Sequence, residues 1–390
     1  MAKFKIEIIL TFLNEQKWKS SQNVVDKDYI YYNYENSEGE NKNCTDQFKF
    51  ERHCREEKMK ITISGKRNSS IKFDEFLFTK KSVIYRECIS ALLYVYCRWG
   101  SFEIKEISCG NQLKSEKDYH VDVEKIHQKF NKDFKDESGH VLQAGLTEDT
   151  LNDLFDYRNN KVFIPLMHLI EGVNYIDYRL EHSWKAFNSM YNQISQSQSD
   201  KDSYKRVIEI MSKNYSTFKP CCEAAKEIVQ KSISVDEMIS FICKNKPSLL
   251  SNIEGFYDIL EASKIENVGL LKYLKYIYGY IYKGDLSKED AEKKRKVKQK
   301  FENRIMEIGK NDKNSENSQN EENIDKEKVS DYLKLLIDYI GYLRNKSMHG
   351  VFLSPSFLFL NDATKELERY SVFLTKLCMA LLRENIYDLS

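Results

Sequence analysis

The first 110 positions alternate between apolar and polar residues over short stretches. FKIEIILTF (4–12), YIYYNY (29–34), FKFERHC (48–54), KMKITISG (58–65) and SIKFDEFLF (70–78) each alternate or run apolar for the length of a strand. Polar clusters such as SEGENKN separate them. SVIYRECISALLYVYCRWG (82–100) is too long for a strand, apolar on more than one side and closed by glycine, so it predicts a buried helix. SFEIKEISCG then returns to strand alternation. The pattern predicts an α+β N-terminal domain over 1–115. It is followed by a polar, charged connecting segment over 116–160, in which DESGH is the clearest loop signal.

From about 161 the period changes. KVFIPLMHLIEGVNYIDYRLEHSWKAFNSMYNQIS places apolar residues three and four apart, predicting one long helix to about 195 with Pro165 in its first turn. Shorter helices are expected over 203–213, 221–231, 235–245, 248–263 and 269–283, then a charged helix over 288–310. NDKNSENSQNEENIDKEK (311–328), with six acids, three bases and one apolar residue, reads as a mobile surface loop or linker. Two strong helices, 329–349 and 361–386, close the chain. Residues 161–390 are therefore expected to be all-α, with no internal repeat.

Composition narrows the class. The 390 residues hold 61 basic and 60 acidic side chains for a net charge of +1, which excludes a chain built as one large basic nucleic-acid cradle. Contact with nucleic acid must then come from a local patch. Four prolines and fourteen glycines favour long helices over a turn-rich sandwich. The nine cysteines, at 44, 54, 88, 97, 109, 221, 222, 243 and 378, include no C-x-x-C pair and fit no disulfide framework. His53 and Cys54 with Cys44 match no metal-ligand spacing, so no metal site and no cofactor are expected. The opening MAKFKIEIILTF is too short for a secretory signal, and no apolar run of membrane-spanning length occurs. The expectation is a soluble, cytoplasmic protein with no membrane partner.

Candidate chemistry sits at the end of the first of the two closing helices. Leu333, Leu336, Ile340 and Leu343 form an apolar stripe, and Arg344-Asn345-Lys346-Ser-Met-His349 follows at once, then Gly350. On the earlier helix stand His182, Trp184, Phe187, Asn188, Tyr191 and Asn192. Together these resemble HEPN-domain ribonucleases, whose R-x4-H motif ends a long amphipathic helix that packs on an aromatic-bearing one. The resemblance covers about residues 155–388, with the matched motifs confined to 182–192 and 344–350. It implies a HEPN-like helical domain with a helical insertion over about 200–310, and it leaves the first 150 residues unassigned.

The residue types suit metal-independent cleavage of RNA. A histidine, with an ordinary pKa of about 6.5, can pass a proton as the 2′-hydroxyl attacks the neighbouring phosphorus. A guanidinium is a fixed planar cation suited to the phosphoryl oxygens. Arg344 and His349 are the expected catalytic pair, with Asn345 assisting and Lys346 on a phosphate. Five residues along an ideal helix turn through about 500°, leaving the two side chains roughly 140° apart. The resemblance implies that a second copy completes the site, so a homodimer with a composite active site is expected.

Further residues are weighed against bland roles. Lys293, Lys294, Arg295 and Lys296 lie in KKRKVKQK (293–300), a basic helix able to grip RNA phosphates or simply to be solvated. Asp177 and Glu181 are candidate accessory acids. Trp184, Phe187 and Tyr191 are expected in the core, and the Tyr-rich stretch 271–285 reads better as packing than as base stacking. Val351 stands where HEPN toxins controlled by nucleotidyltransferase antitoxins carry a tyrosine, so that control is not expected. The sequence thus points to an endoribonuclease cleaving single-stranded RNA or tRNA, a toxin or effector of prokaryotic antiviral defence and abortive infection, with a regulatory protein or RNA as a further partner. The alternative is a catalytically inactive HEPN-like module that binds RNA or protein.

Overall fold

The computed structural model describes residues 2–13, 25–34, 44–53, 57–67, 73, 82–111, 119–135, 145–156, 160–175, 178–195, 200–232, 333, 336–337, 339–341, 343–344 and 362–388. The N-terminal part is an antiparallel sheet and the described remainder is mostly helical. The chain divides into two compact units, the first made of 1–204 with 354–390 and the second of 205–353. The second unit is thus inserted in the sequence of the first.

The sheet contains β1 (Ala2–Phe12), β2 (Val25–Tyr34), β3 (Cys44–His53), β4 (Lys58–Arg67), β5 (Phe102–Asn111) and β6 (Tyr119–Val121). Their order is β2-β3-β4-β1-β5-β6, and every described pairing is antiparallel. The alternation works as the sequence predicts. Phe4, Ile6, Ile8, Leu10 and Phe12 of β1 are buried, as are Phe48, Phe50, Met59, Ile61 and Ile63 of the neighbouring strands. The other face carries ionic side chains, including Glu7 Oε1 at 2.7 Å from Lys5 Nζ and 2.6 Å from Lys60 Nζ. One face packs and one is solvated, as period-two patterning in an antiparallel sheet requires.

A bulge shifts the register between Ile9 and Leu10, which oppose Glu106 and Ile104 and leave Lys105 over. Beyond the short β6, the Gln128 side chain continues the edge. Its Oε1 accepts from the Ile104 N–H and its Nε2 donates to the Ile104 carbonyl, both at 2.9 Å. The other close approach is at Gly65, where a Cβ would lie 1.8 Å from Asp46 Oδ1 and 2.7 Å from a Phe4 ring carbon. Asp46 is fully buried, so this carboxylate cannot simply swing into water.

Helix α1 (Val83–Trp99) lies against the buried face. Ser82 caps its start, accepting from the Tyr85 N–H, and Gly100 at φ 95° ends it while donating to the Tyr96 carbonyl. Every residue from Ala91 to Cys97 is buried, so this stretch is covered on all sides. Tyr94 meets Phe50 at 4.8 Å and Phe155 at 5.6 Å between ring centroids. Tyr96 contacts Phe102, Phe130 and Phe134. Phe130, Phe134, Leu151, Leu154 and Phe155 are all buried. The stretch expected to connect two domains therefore supplies core to the first unit, through a short helix α2 (Glu148–Asn152) and the 3-10 turn Asp153–Phe155.

Burial pushes the Cys97 thiol up to about 12 and the Cys88 thiol well above its usual value. Cys88, Cys97, Cys109, Cys222 and Cys378 are buried, in keeping with core packing. In the stretch 70–78, expected as a strand, Phe73 is the described residue, and it is helical and buried. Phe73, Phe76 and Leu77 also have helical spacing, an ambiguity inherent in short apolar runs. No described helix is long and apolar enough to cross a membrane.

Two outcomes follow from the sheet. Gly65→Ala forces overpacking against Asp46 and Phe4 and should lower stability by about 1–3 kcal/mol, read by thermal or denaturant unfolding. Burial pushes the Glu7 carboxyl up, but the ammonium groups of Lys5 and Lys60 outweigh it and hold the group below its usual range. A carboxyl so lowered stabilises the fold above its unfolded pKa, and this is lost as pH falls through the folded value. The melting-temperature gap between wild type and Glu7→Gln should be full at neutral pH and shrink as pH falls below the ordinary carboxyl value of about 4.3.

Candidate functional site

The stretch expected as one helix to about 195 is two: α3 (Phe163–Asn174) and α4 (Arg179–Ser195). Tyr175 ends α3, donating its N–H to the Glu171 carbonyl. Asn174 ties this end to the preceding chain, its Nδ2 donating to the Lys129 carbonyl at 2.6 Å and the Ile170 carbonyl at 2.9 Å. The chain then folds back. The His168 and His182 rings are 6.2 Å apart, whereas fourteen residues of unbroken helix would separate them by about 21 Å. Pro165 does lie in the first turn of α3, as expected.

Each helix of the hairpin has a buried face. Leu166, Leu169 and Ile170 are buried on α3, and Leu180, Ser183, Ala186, Phe187, Met190 and Tyr191 on α4. Helix α7 (Asp362–Arg383) packs against α4, following α5 (Asp200–Lys213) and α6 (Tyr215–Ser232) in the chain. The Ser183 and Thr375 hydroxyls meet at 3.2 Å in this interface, and Arg179 Nη1 lies 3.5 Å from Glu368 Oε1. Phe187 and Tyr191 are fully buried, whereas Trp184 is only half-buried. Of the aromatic trio expected in the core, the last two reach its centre.

Where the hairpin helices approach most closely, a Cβ on Gly172 would sit 3.2 Å from the His182 Cβ. Beside this contact His168, Glu171 and His182 bring their ligand-type atoms within 4.8 Å of one another. His182 Nδ1 is 3.3 Å from Glu171 Oε2, and His168 Nδ1 is 4.0 Å from the same oxygen. Both Nδ1 atoms are buried and neither makes a hydrogen bond. Burial holds both imidazoles below the usual histidine range, against the opposing pull of Glu171. Burial thus favours the neutral form of each ring, which keeps one nitrogen lone pair. Tyr175 stacks beside His182 at 6.5 Å, and its hydroxyl takes a 2.6 Å hydrogen bond from Lys129.

The sequence offered part of this cluster and hid the rest. His168 and Glu171 are three apart on one helical face, a visible pairing. His182 joins them only because the helix breaks, and the sequence reading expected neither the break nor a metal-type cluster.

The R-x4-H helix belongs to the second unit. Leu333, Leu336, Ile337, Tyr339, Ile340 and Leu343 are buried there, which includes the whole apolar stripe expected from spacing. Arg344 is helical and half-buried. Eleven residues after Leu333 it has turned through about 1100°, which returns it to within roughly 20° of that residue's direction. The guanidinium thus leaves the helix from its apolar face and not from a solvated one.

Of the other expected site residues, Asn345, Lys346, His349, Lys293, Lys294, Arg295, Lys296 and Asp177 lie outside the described residues, as do the helices predicted between 235 and 310 and the loop 311–328. Glu181 is in the first unit, where Lys185 lies 2.6 Å from its carboxylate one helical turn on. Compared with protein-family models, with curated proteins and with solved structures, the chain matches none.

The packing of α4 has a direct test. Phe187→Ala should cost about 3–5 kcal/mol of unfolding free energy, and the half-buried Trp184→Ala distinctly less, by urea denaturation.

Proposed function

We propose that the chain is a metal-independent endoribonuclease of the HEPN type. It cleaves single-stranded RNA or tRNA and acts as a toxin or effector in prokaryotic antiviral defence. The observation that carries the reading is Arg344, a half-buried cation set on the apolar stripe of its helix where the Arg344–His349 motif begins. An arginine that only solvates a helix end belongs on the polar face. A guanidinium at that place, where the motif begins, suits a phosphoryl group, whose oxygens its planar fork can grip.

In this reading His349 exchanges the proton of the attacking 2′-hydroxyl or of the leaving 5′-oxygen. Arg344 neutralises the charge that grows on the phosphorane. Asn345 orients the arginine, and Lys346 holds a flanking phosphate. The products are a 2′,3′-cyclic phosphate and a 5′-hydroxyl. One R-x4-H motif per chain makes the working form a homodimer with a composite site, and the N-terminal sheet is the place for a trigger or regulator to act.

RNA cleavage should persist in EDTA and fall more than about 100-fold in both Arg344→Ala and His349→Ala, with circular dichroism unchanged. Wild-type cleavage matched by His349→Ala would overturn the assignment. RNA affinity without cleavage in any form would make the chain a binding module instead. Light scattering on the active species should report a dimer.

A further inference from the structure

We propose that His168, Glu171 and His182 form a binding site for a divalent metal ion of the zinc class, with the fourth position open to solvent. Two imidazoles and a carboxylate within 4.8 Å of one another make a recognised donor set for borderline transition ions. Tetrahedral ligands at about 2.1 Å from a metal are roughly 3.4 Å from each other. The Nδ1 to Oε2 separations of 3.3 and 4.0 Å bracket that spacing. Both buried Nδ1 atoms lack a hydrogen bond, which leaves each with bonding capacity beside the Glu171 carboxylate. Imidazole donors disfavour magnesium and calcium, which demand oxygen.

The surroundings are built to hold the set. Gly172 lets α4 approach closely enough for His182 to meet a pair from α3. Tyr175 stacks on the His182 ring and fixes its plane. The nearby cations have their own partners: Lys185 lies at Glu181, and Lys129 lies over the Tyr175 ring while donating to its hydroxyl. Side-chain exposures of 31% for His168 and 38% for Glu171 give an ion a route in, while 16% for His182 keeps the inner wall dry.

All three residues belong to the first unit. The site contains neither Arg344 nor His349, and metal bound there would pin α3 to α4. Because the chain has nine cysteines, the test must separate imidazole from thiolate ligation. The full chain, stripped with EDTA and desalted, is titrated with Co²⁺ and followed by visible absorption. The expected result is saturation at a single equivalent, ligand-field bands, and no near-ultraviolet thiolate charge-transfer band. His168→Gln and His182→Gln should each weaken binding by more than about tenfold. Zn²⁺ should raise the melting temperature of wild type and not of these variants. If His182→Gln does not fold, Glu171→Gln, which changes charge and hardly shape, takes its place with the same expectation. No saturable binding by wild type, a thiolate band at the first equivalent, or undiminished binding by the folded variants would overturn the site. Because the readouts are spectroscopic and thermal, loss of ribonuclease activity leaves this result unaffected.

Discussion

Burial of one face of an antiparallel sheet beneath an enclosed helix is the constraint on which the first unit depends. The strands have apolar residues on alternate positions, so the sheet has one face to hide, and α1 is the element that hides it. A helix in that position is itself enclosed, and must be apolar all round. Ala91 to Cys97 meet this demand without a break. Ser90, a polar residue of this layer, is satisfied locally, its Oγ donating to the Leu154 carbonyl at 2.6 Å. The rings of Phe130, Phe134 and Phe155 then fill the space left around Tyr94 and Tyr96. The helical hairpin is anchored to this assembly through Arg86, whose guanidinium bonds Asn160 and lies over the Phe163 ring.

Strands with period two and the enclosed helix were legible because local pattern alone decides them. The break between α3 and α4 was not. Around Asn174 and Tyr175 there is no proline, and Gly172 lies inside the helix, so nothing local announces a stop. The stop is enforced from a distance, by the bond from Asn174 to the Lys129 carbonyl and by the Tyr175 contact with Lys129. Likewise, polar composition made 116–160 read as a connector, yet a few aromatics spaced through it were enough to weld it to the core. Composition averages over a segment, whereas burial is decided residue by residue.

The same distinction separates the two sites. Arg344 and His349 could be found by reading along the chain, because the motif is contiguous and follows its own apolar stripe. His168, Glu171 and His182 could be assembled only after the hairpin had closed. Of the two proposed sites in this chain of net charge +1, one is written in sequence and the other in packing. Their settings also differ electrostatically. One proposed site centres on a permanently charged guanidinium, the other on two imidazoles around one carboxylate.

The order of the units along the chain has its own consequence. Helix α7 completes the wall behind α4, and late residues are stitched to early ones: Thr150 Oγ1 donates to the Leu382 carbonyl, and Tyr387 donates to that of Lys161 at 2.7 Å. Between these partners the ribosome must make the whole second unit. During synthesis, Phe187, Met190 and the inner face of the hairpin therefore wait for their cover while well over a hundred further residues emerge (about ten seconds at typical elongation rates). A messenger cut within the insertion would yield a hairpin that is formed but lacks the cover of α7.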